Sequence, residues 1–124
     1  MSAETPEFVV DPEDAKLVTL ARATRARNGA SEGAAVRDET GRTYTASTVA
    51  LPSLELSALR TAVAMAVAGG ARGLEAAAIV GAAAATTEAA VTEADRAAVR
   101  DLGGAGTPIL SAGPDAVVRA VATV

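Results

Sequence analysis

Helix starts and glycine stops recur along this chain with short β-prone runs between them, and that alternation limits the fold more than any other feature. Asp11-Pro12-Glu13-Asp14 opens a first helix with an N-cap candidate, a proline at the first position and acids in the first turn. Leu17, Val18, Leu20 and Ala21 give that helix an apolar stripe, Arg22, Arg25 and Arg27 lie toward its C-terminal end, and Asn28-Gly29 stops it. Gly33-Ala34-Ala35-Val36 and Arg42-Thr43-Tyr44-Thr45, joined by the polar, glycine-ended Arg37–Gly41 segment, read as a β-hairpin. Pro52-Ser53 then opens a second helix, with Leu56, Leu59, Val63, Ala66 and Val67 on one face and Gly69-Gly70 at its end. Leu74 to Gly81 suits a buried central strand, although its alanines also allow a helix. Thr92-Glu93-Ala94-Asp95 begins a third helix that carries Val99 and Leu102 and stops at Gly103-Gly104. Thr107–Ser111 and the valines 117, 118, 121 and 124 supply two last strands around a Gly113-Pro114 turn. The expected order is α-β-β-α-β-α-β-β: an α/β domain with one mixed five-stranded sheet flanked by three helices. Residues 1–10 read as a loose lead-in and residues 11–124 as a single domain, with no internal repeat.

The apolar content is unusual in kind. Alanine accounts for 33 of the 124 residues, tryptophan is absent, and phenylalanine and tyrosine occur once each. A buried methylene contributes only about 0.8 kcal/mol, so a core built from alanine is thin, and burial between subunits is one remedy. A homo-oligomer, dimer or tetramer, is therefore expected. The same alanine and arginine bias also follows from a GC-rich genome.

A net charge of −4, with no basic run or aromatic ladder, argues against nucleic acid or an anionic membrane as partner. The first ten residues carry acids where a secretory signal would be basic, and the longest apolar stretch, Leu74 to Ala85, is too short to span a bilayer. Without cysteine there are no disulfides and no thiol chemistry. The expectation is a cytoplasmic, soluble protein.

Four segments, in order, resemble the cytidine deaminase family. Gly33-Ala34-Ala35-Val36 and Thr40-Gly41-Arg42-Thr43-Tyr44-Thr45 are similar to the family's Val-Gly-Ala-Ala-Leu strand and Asp-Gly-Arg-x-Tyr-Thr hairpin. Ser57-Ala58-Leu59-Arg60-Thr61-Ala62 resembles the Cys-Ala-Glu-Arg-Thr-Ala helix start, and Val91–Ala97 resembles Pro-Cys-Gly-x-Cys-Arg-Gln. Thr107-Pro108-Ile109 matches a Thr-Pro-Ile strand that precedes a short tail. The resemblance covers roughly Asp14 to Val124, nearly the whole chain, and implies the three-layer sandwich of that family.

The resemblance also implies where the family's chemistry would stand. There, thiolates with or without a histidine hold a zinc ion that activates water for attack on the base. Residue by residue, the ligand positions fall on Ser57, Thr92 and Asp95, and the proton-shuttling glutamate falls on Leu59. Hydroxyls are poor zinc ligands at neutral pH, and a single aspartate cannot complete a tetrahedral site. Leucine transfers no proton. Without the metal, the water's pKa stays near 15.7 instead of about 7. The family's ribose-holding Asn-x-Glu pair lands on Thr48 and Ala50, its stacking phenylalanine lands near Ala30, and Leu51–Ser53 is two residues shorter than usual. With no cysteine and no histidine anywhere, the expectation is no zinc, no cofactor and no cytidine deamination.

The remaining polar residues have plain readings first. Thr92 and Asp95 fit a helix capping box, and Glu55 and Glu93 fit first-turn acids favoured by the helix dipole. A Glu55, Glu93 and Asp95 cluster for Mg²⁺ or Ca²⁺ lacks the alternating-acid loop such sites use. Arg60 and Arg96 match arginines that lie beside the family's zinc thiolates. They are expected either in salt bridges to Asp95, Glu93 or Glu88, or around a bound anion between two helix N-termini. Gly69-Gly70 and Gly103-Gly104 are helix stops rather than phosphate loops. Ser57 has no histidine to activate it, and the only lysine, Lys16, lies on the first helix. Three functions follow in order: a catalytically inactive assembly or protein-binding module, a small-ligand or anion sensor in the vacated cleft, and a cytidine deaminase by similarity only.

Overall fold

The computed structural model describes residues 9–82 and 91–124; Glu88 and all but the last two residues of the expected 1–10 lead-in lie outside them. Helix α1 (Pro12–Asn28) is followed by strands β1 (Glu32–Asp38), β2 (Thr43–Ser47), β3 (Val49–Leu51) and β4 (Leu54–Leu56). Helix α2 (Ala58–Ala68), β5 (Leu74–Gly81), α3 (Glu93–Gly103), β6 (Pro108–Ala112) and β7 (Val118–Thr123) complete the chain. The five-stranded sheet has the order β2-β1-β5-β6-β7, and β3 and β4 form a separate two-stranded ribbon. Only β5 and β6 run parallel, with α3 in the crossover; β1 is antiparallel to both its neighbours. The mixed sheet and three helices are those expected.

The helix starts expected for α1 and α3 are the ones that form. The Asp11 side chain accepts the Glu13 N–H at 2.8 Å in front of Pro12, and Gly29 closes α1 in the left-handed conformation at φ 59°. Helix α3 starts on Thr92, as expected, and α2 ends on Gly69.

Two expectations fail around residue 52. Helix α2 begins not at Pro52-Ser53 but at Ala58, capped by Ser57. The intervening residues pair instead, Leu51 with Leu54 and Val49 with Leu56, around a turn made by Pro52 and Ser53. Proline's fixed φ suits the first turn of a helix and the second position of a β-turn alike; the flanking leucines decided for the ribbon. The order therefore gains two strands, and Glu55 stands exposed on β4 rather than in a helical first turn.

Alternation along β5 explains its apolar run. Ala77 and Ile79 face α2 and α3 in one core with Leu59, Ala62, Val63 and Val99. Ala76, Ala78 and Val80 face α1 in a second core with Leu17, Val18 and Ala21. A strand covered on both sides has no polar face to show. Small side chains let the layers come close: a Cβ placed on Gly33 would overlap the Ala21 carbonyl oxygen. Arg37 then ties the layers by ion pairs at 2.8 Å to both Asp14 of α1 and Glu75 of β5. Among the described residues, no helix is long and apolar enough to cross a membrane.

Candidate functional site

Ser57, Thr92 and Asp95 meet where α2 and α3 begin. Each helix start leaves backbone N–H groups without partners inside the helix. Ser57 Oγ accepts the Arg60 N–H at 3.2 Å, and Thr92 Oγ1 accepts the Asp95 N–H at 3.1 Å. The Ser57 hydroxyl in turn donates to Asp95 Oδ1 at 2.5 Å, joining two segments 38 residues apart. Asp95 is buried, with 3% of its surface exposed. The capping box on α3 forms through its threonine half, while the aspartate side chain reaches across to the other helix.

Leu59 stands in the first turn of α2, buried in the core shared by Ile79, Val91 and Val99.

An open cleft of about 360 Å³ lies beside the start of α2, with Ser57, Glu32, Thr48, Ala50 and Glu55 on its walls. The two positions corresponding to the family's ribose pair thus do line a cavity, as Thr48 and Ala50. Glu32 is a residue the sequence reading missed. Burial pushes its carboxyl above the ordinary glutamate value, and the nearby Asp95 charge pushes it the same way. A signal for it existed: Glu32, Ala34 and Val36 share one face of β1, so Glu32 had to point toward α2 and α3.

The arginines are divided. Arg60 is exposed and lines a different groove, between α2 and α3, together with Asp101. Arg96 is half-buried on α3. Of the acids considered as their partners, Asp95 accepts from Ser57, and Glu93 pairs with Arg100 at 3.6 Å. The charge on the cleft walls themselves is negative, from Glu32 and Glu55.

A family model for cytidine deaminase-like proteins matches residues 10–116. The chain belongs to the cytidine deaminase-like family. Solved structures agree. A cytidine deaminase from Burkholderia pseudomallei superposes with a TM-score of 0.74 at 26% identity, over 87% of this chain and 90% of its own. A cytidine deaminase from Mycobacterium leprae gives 0.69 at 23% identity, over 91% and 94%, and so shares the fold. A point mutant of the cytidine deaminase from Mycobacterium tuberculosis gives 0.65 at 25% identity, over 82% and 85%. No curated protein sequence matches the chain.

The residues at the family's metal positions do not fit zinc. Two would offer neutral hydroxyls and one a carboxylate, where zinc takes thiolate, imidazole and carboxylate donors. Ser57 and Asp95 are already bonded to each other, and the Thr92 hydroxyl is engaged by the Asp95 N–H. Among the described residues, no three acids, histidines or cysteines converge as a metal-binding group.

Proposed function

We propose that this chain is a catalytically inactive member of the family that works by assembly, with a second copy of itself as the first partner. The observation that carries the assembly reading is the exposed surface of α2. Beyond Arg60 the helix has no charged residue, and Met65 and Val67, on opposite flanks of its buried stripe, are 45% and 54% exposed, Val67 in the groove beside α3. A surface helix of a lone domain normally turns a polar face to water; an exposed apolar surface suits burial against another subunit. Leu51 and Leu54, on the ribbon that leads into α2, are also exposed large hydrophobics.

The chemistry of the site supports the inactive half of the reading. A chain without cysteine or histidine cannot offer the family's zinc ligands, and the acid–base position is a buried leucine. The deaminase activity named for the solved relatives therefore does not carry over with their fold. The small-ligand reading has the cleft beside Ser57 in its favour. Its anion form is disfavoured by Glu32 and Glu55 on the walls and by Arg60 facing the other groove. The acidic balance and lack of cysteine suit a cytoplasmic setting.

Light scattering on purified protein tests the assembly. We expect a dimer or tetramer of the 12.2 kDa chain at tens of micromolar, within the range that a micromolar dissociation constant populates. Met65→Glu combined with Val67→Glu is expected to give a folded monomer. A wild-type monomer at that concentration would refute the reading. Cytidine turnover that disappears when Ser57 or Asp95 is changed would refute the inactive half.

A further inference from the structure

We infer that the Ser57–Asp95 hydrogen bond has replaced the metal as a structural tie, holding the N-terminus of α2 to the N-terminus of α3 without an ion. The inference rests on the zinc-free half of the proposed function and is independent of assembly.

A metal at two helix starts does two separable things: it supplies chemistry, and it cross-links elements far apart in sequence. Once the thiolate positions hold other residues, the cross-link has to be remade or the two helix ends are left to drift. Ser57 and Asp95 remake it as a matched pair. A buried carboxylate needs a hydrogen-bond donor and a compensating charge. The Ser57 hydroxyl is the donor, at 2.5 Å, a length typical of an O–H donating to a carboxylate. The compensating charge comes from the N-terminal dipole of α3, in whose first turn Asp95 sits. The hydroxyl's lone pair is used as well, accepting the Arg60 N–H, so one serine caps its own helix and grips the next. Asp95 does the same from its side through the N–H it gives to Thr92. Four groups thus form one connected set spanning two helix starts. The core under the two helices is aliphatic, with Leu59, Val91 and Val99, and the Glu32 carboxyl lies close enough to Asp95 to be pushed up by its charge. Neither member is stable alone there. An aspartate without the serine would be a buried charge lacking its donor, and a serine without the aspartate would leave its hydroxyl proton unbonded.

A double-mutant cycle on the full chain, read by urea denaturation, tests the tie. Ser57→Ala and Asp95→Ala are each expected to shift the unfolding equilibrium by about tenfold to a hundredfold, the range for a hydrogen bond to a charged group. The double variant should lose clearly less than the product of the two, because the stranded partner is gone. The cap that Ser57 provides to α2 is lost in both arms of the cycle and cancels. Asp95→Asn, which can still accept from Ser57, should recover part of the loss. Losses that simply multiply would overturn the tie while leaving the inactive reading intact. Zinc at one per chain in the wild type, or a melting temperature that falls with EDTA, would overturn both. A converse variant, Ser57→Cys with Thr92→Cys and Asp95→Cys, restores three thiolates to the same three positions. It is expected to bind about one zinc per chain; a folded variant that takes up none would refute the convergence of these positions on one former metal site.

Discussion

Leu59→Ala is the sharpest single test of the core packed under the starts of α2 and α3. The Leu59 side chain is 1% exposed, so truncation removes three carbons that are almost wholly withdrawn from water. At about 0.8 kcal/mol each, the transfer loss alone is about 2.4 kcal/mol. Ile79 on the sheet and Val99 on α3 are held by their own elements and cannot fully close on the gap, so a cavity term should bring the total toward about 4 kcal/mol. For the 124-residue chain, an unfolding entropy of about 2.1 cal/mol/K per residue sums to roughly 0.26 kcal/mol/K, which converts that loss into a fall in melting temperature of about 9–15 °C. Calorimetry checks the figure, and a urea midpoint that falls with an unchanged slope assigns it to stability alone. A fall smaller than about 4 °C, the figure for about 1 kcal/mol at that entropy, would show that Leu59 is not packed as described. Leu59→Glu carries the logic one step further. An acid placed at this buried, apolar position is held protonated to higher pH in the folded state, so the variant should be less stable at pH 8 than at pH 5, with no gain of cytidine turnover.

Gly33→Ala should cost more than the roughly 1–3 kcal/mol usual for overpacking. Its Cβ would overlap the Ala21 carbonyl oxygen and stand 2.8 Å from Arg25 Cβ, which forces α1 off the sheet; an unchanged urea midpoint would contradict that packing. Glu32 carries a raised carboxyl pKa, from burial first and from the Asp95 charge second. The folded state then holds its proton more readily than the unfolded chain, so ionised Glu32 costs stability above its folded pKa. Glu32→Gln should therefore stabilise at neutral pH, with the gain fading as pH falls through the ordinary glutamate range. At Asp38, burial pushes the carboxyl up, but hydrogen bonds from Thr40, Tyr44 and Arg42 outweigh it and hold the pKa at about 2. The stabilisation it contributes is present above the ordinary aspartate value of about 3.9 and is lost as pH falls toward 2. Acid titration should show that loss in the wild type and not in Asp38→Asn.

Most of the fold was legible because its signals were local and agreed with one another. Asp11 before Pro12, Thr92 before an acidic turn and Gly29 after Asn28 each act through groups a few residues away. The two-sided burial of β5 was legible too, since a run from Leu74 to Gly81 with one charged residue leaves no face for water. The β3–β4 ribbon was not, because Pro52 satisfies two local rules and nothing nearby chooses between them. The choice lies in Leu51 and Leu54 pairing across the turn, and Leu-Glu-Leu reads equally as strand or as the edge of a helix.

The site was legible in its positions and not in its partners. Resemblance alone marked Ser57, Leu59, Thr92 and Asp95, and each stands at or near a helix start in the structure. What resemblance could not supply is the use made of them. From the sequence, Asp95 was one half of a capping box and Ser57 a hydroxyl in place of a thiolate, two separate local facts. The bond between them spans 38 residues, and no periodicity or cap preference reaches that far. Glu32 shows the same limit from the other side: strand alternation fixes which way it points, but only the tertiary fold brings it within reach of the Asp95 charge. The residue type at each position is visible one residue at a time, whereas the Ser57–Asp95 bond exists only as a pair.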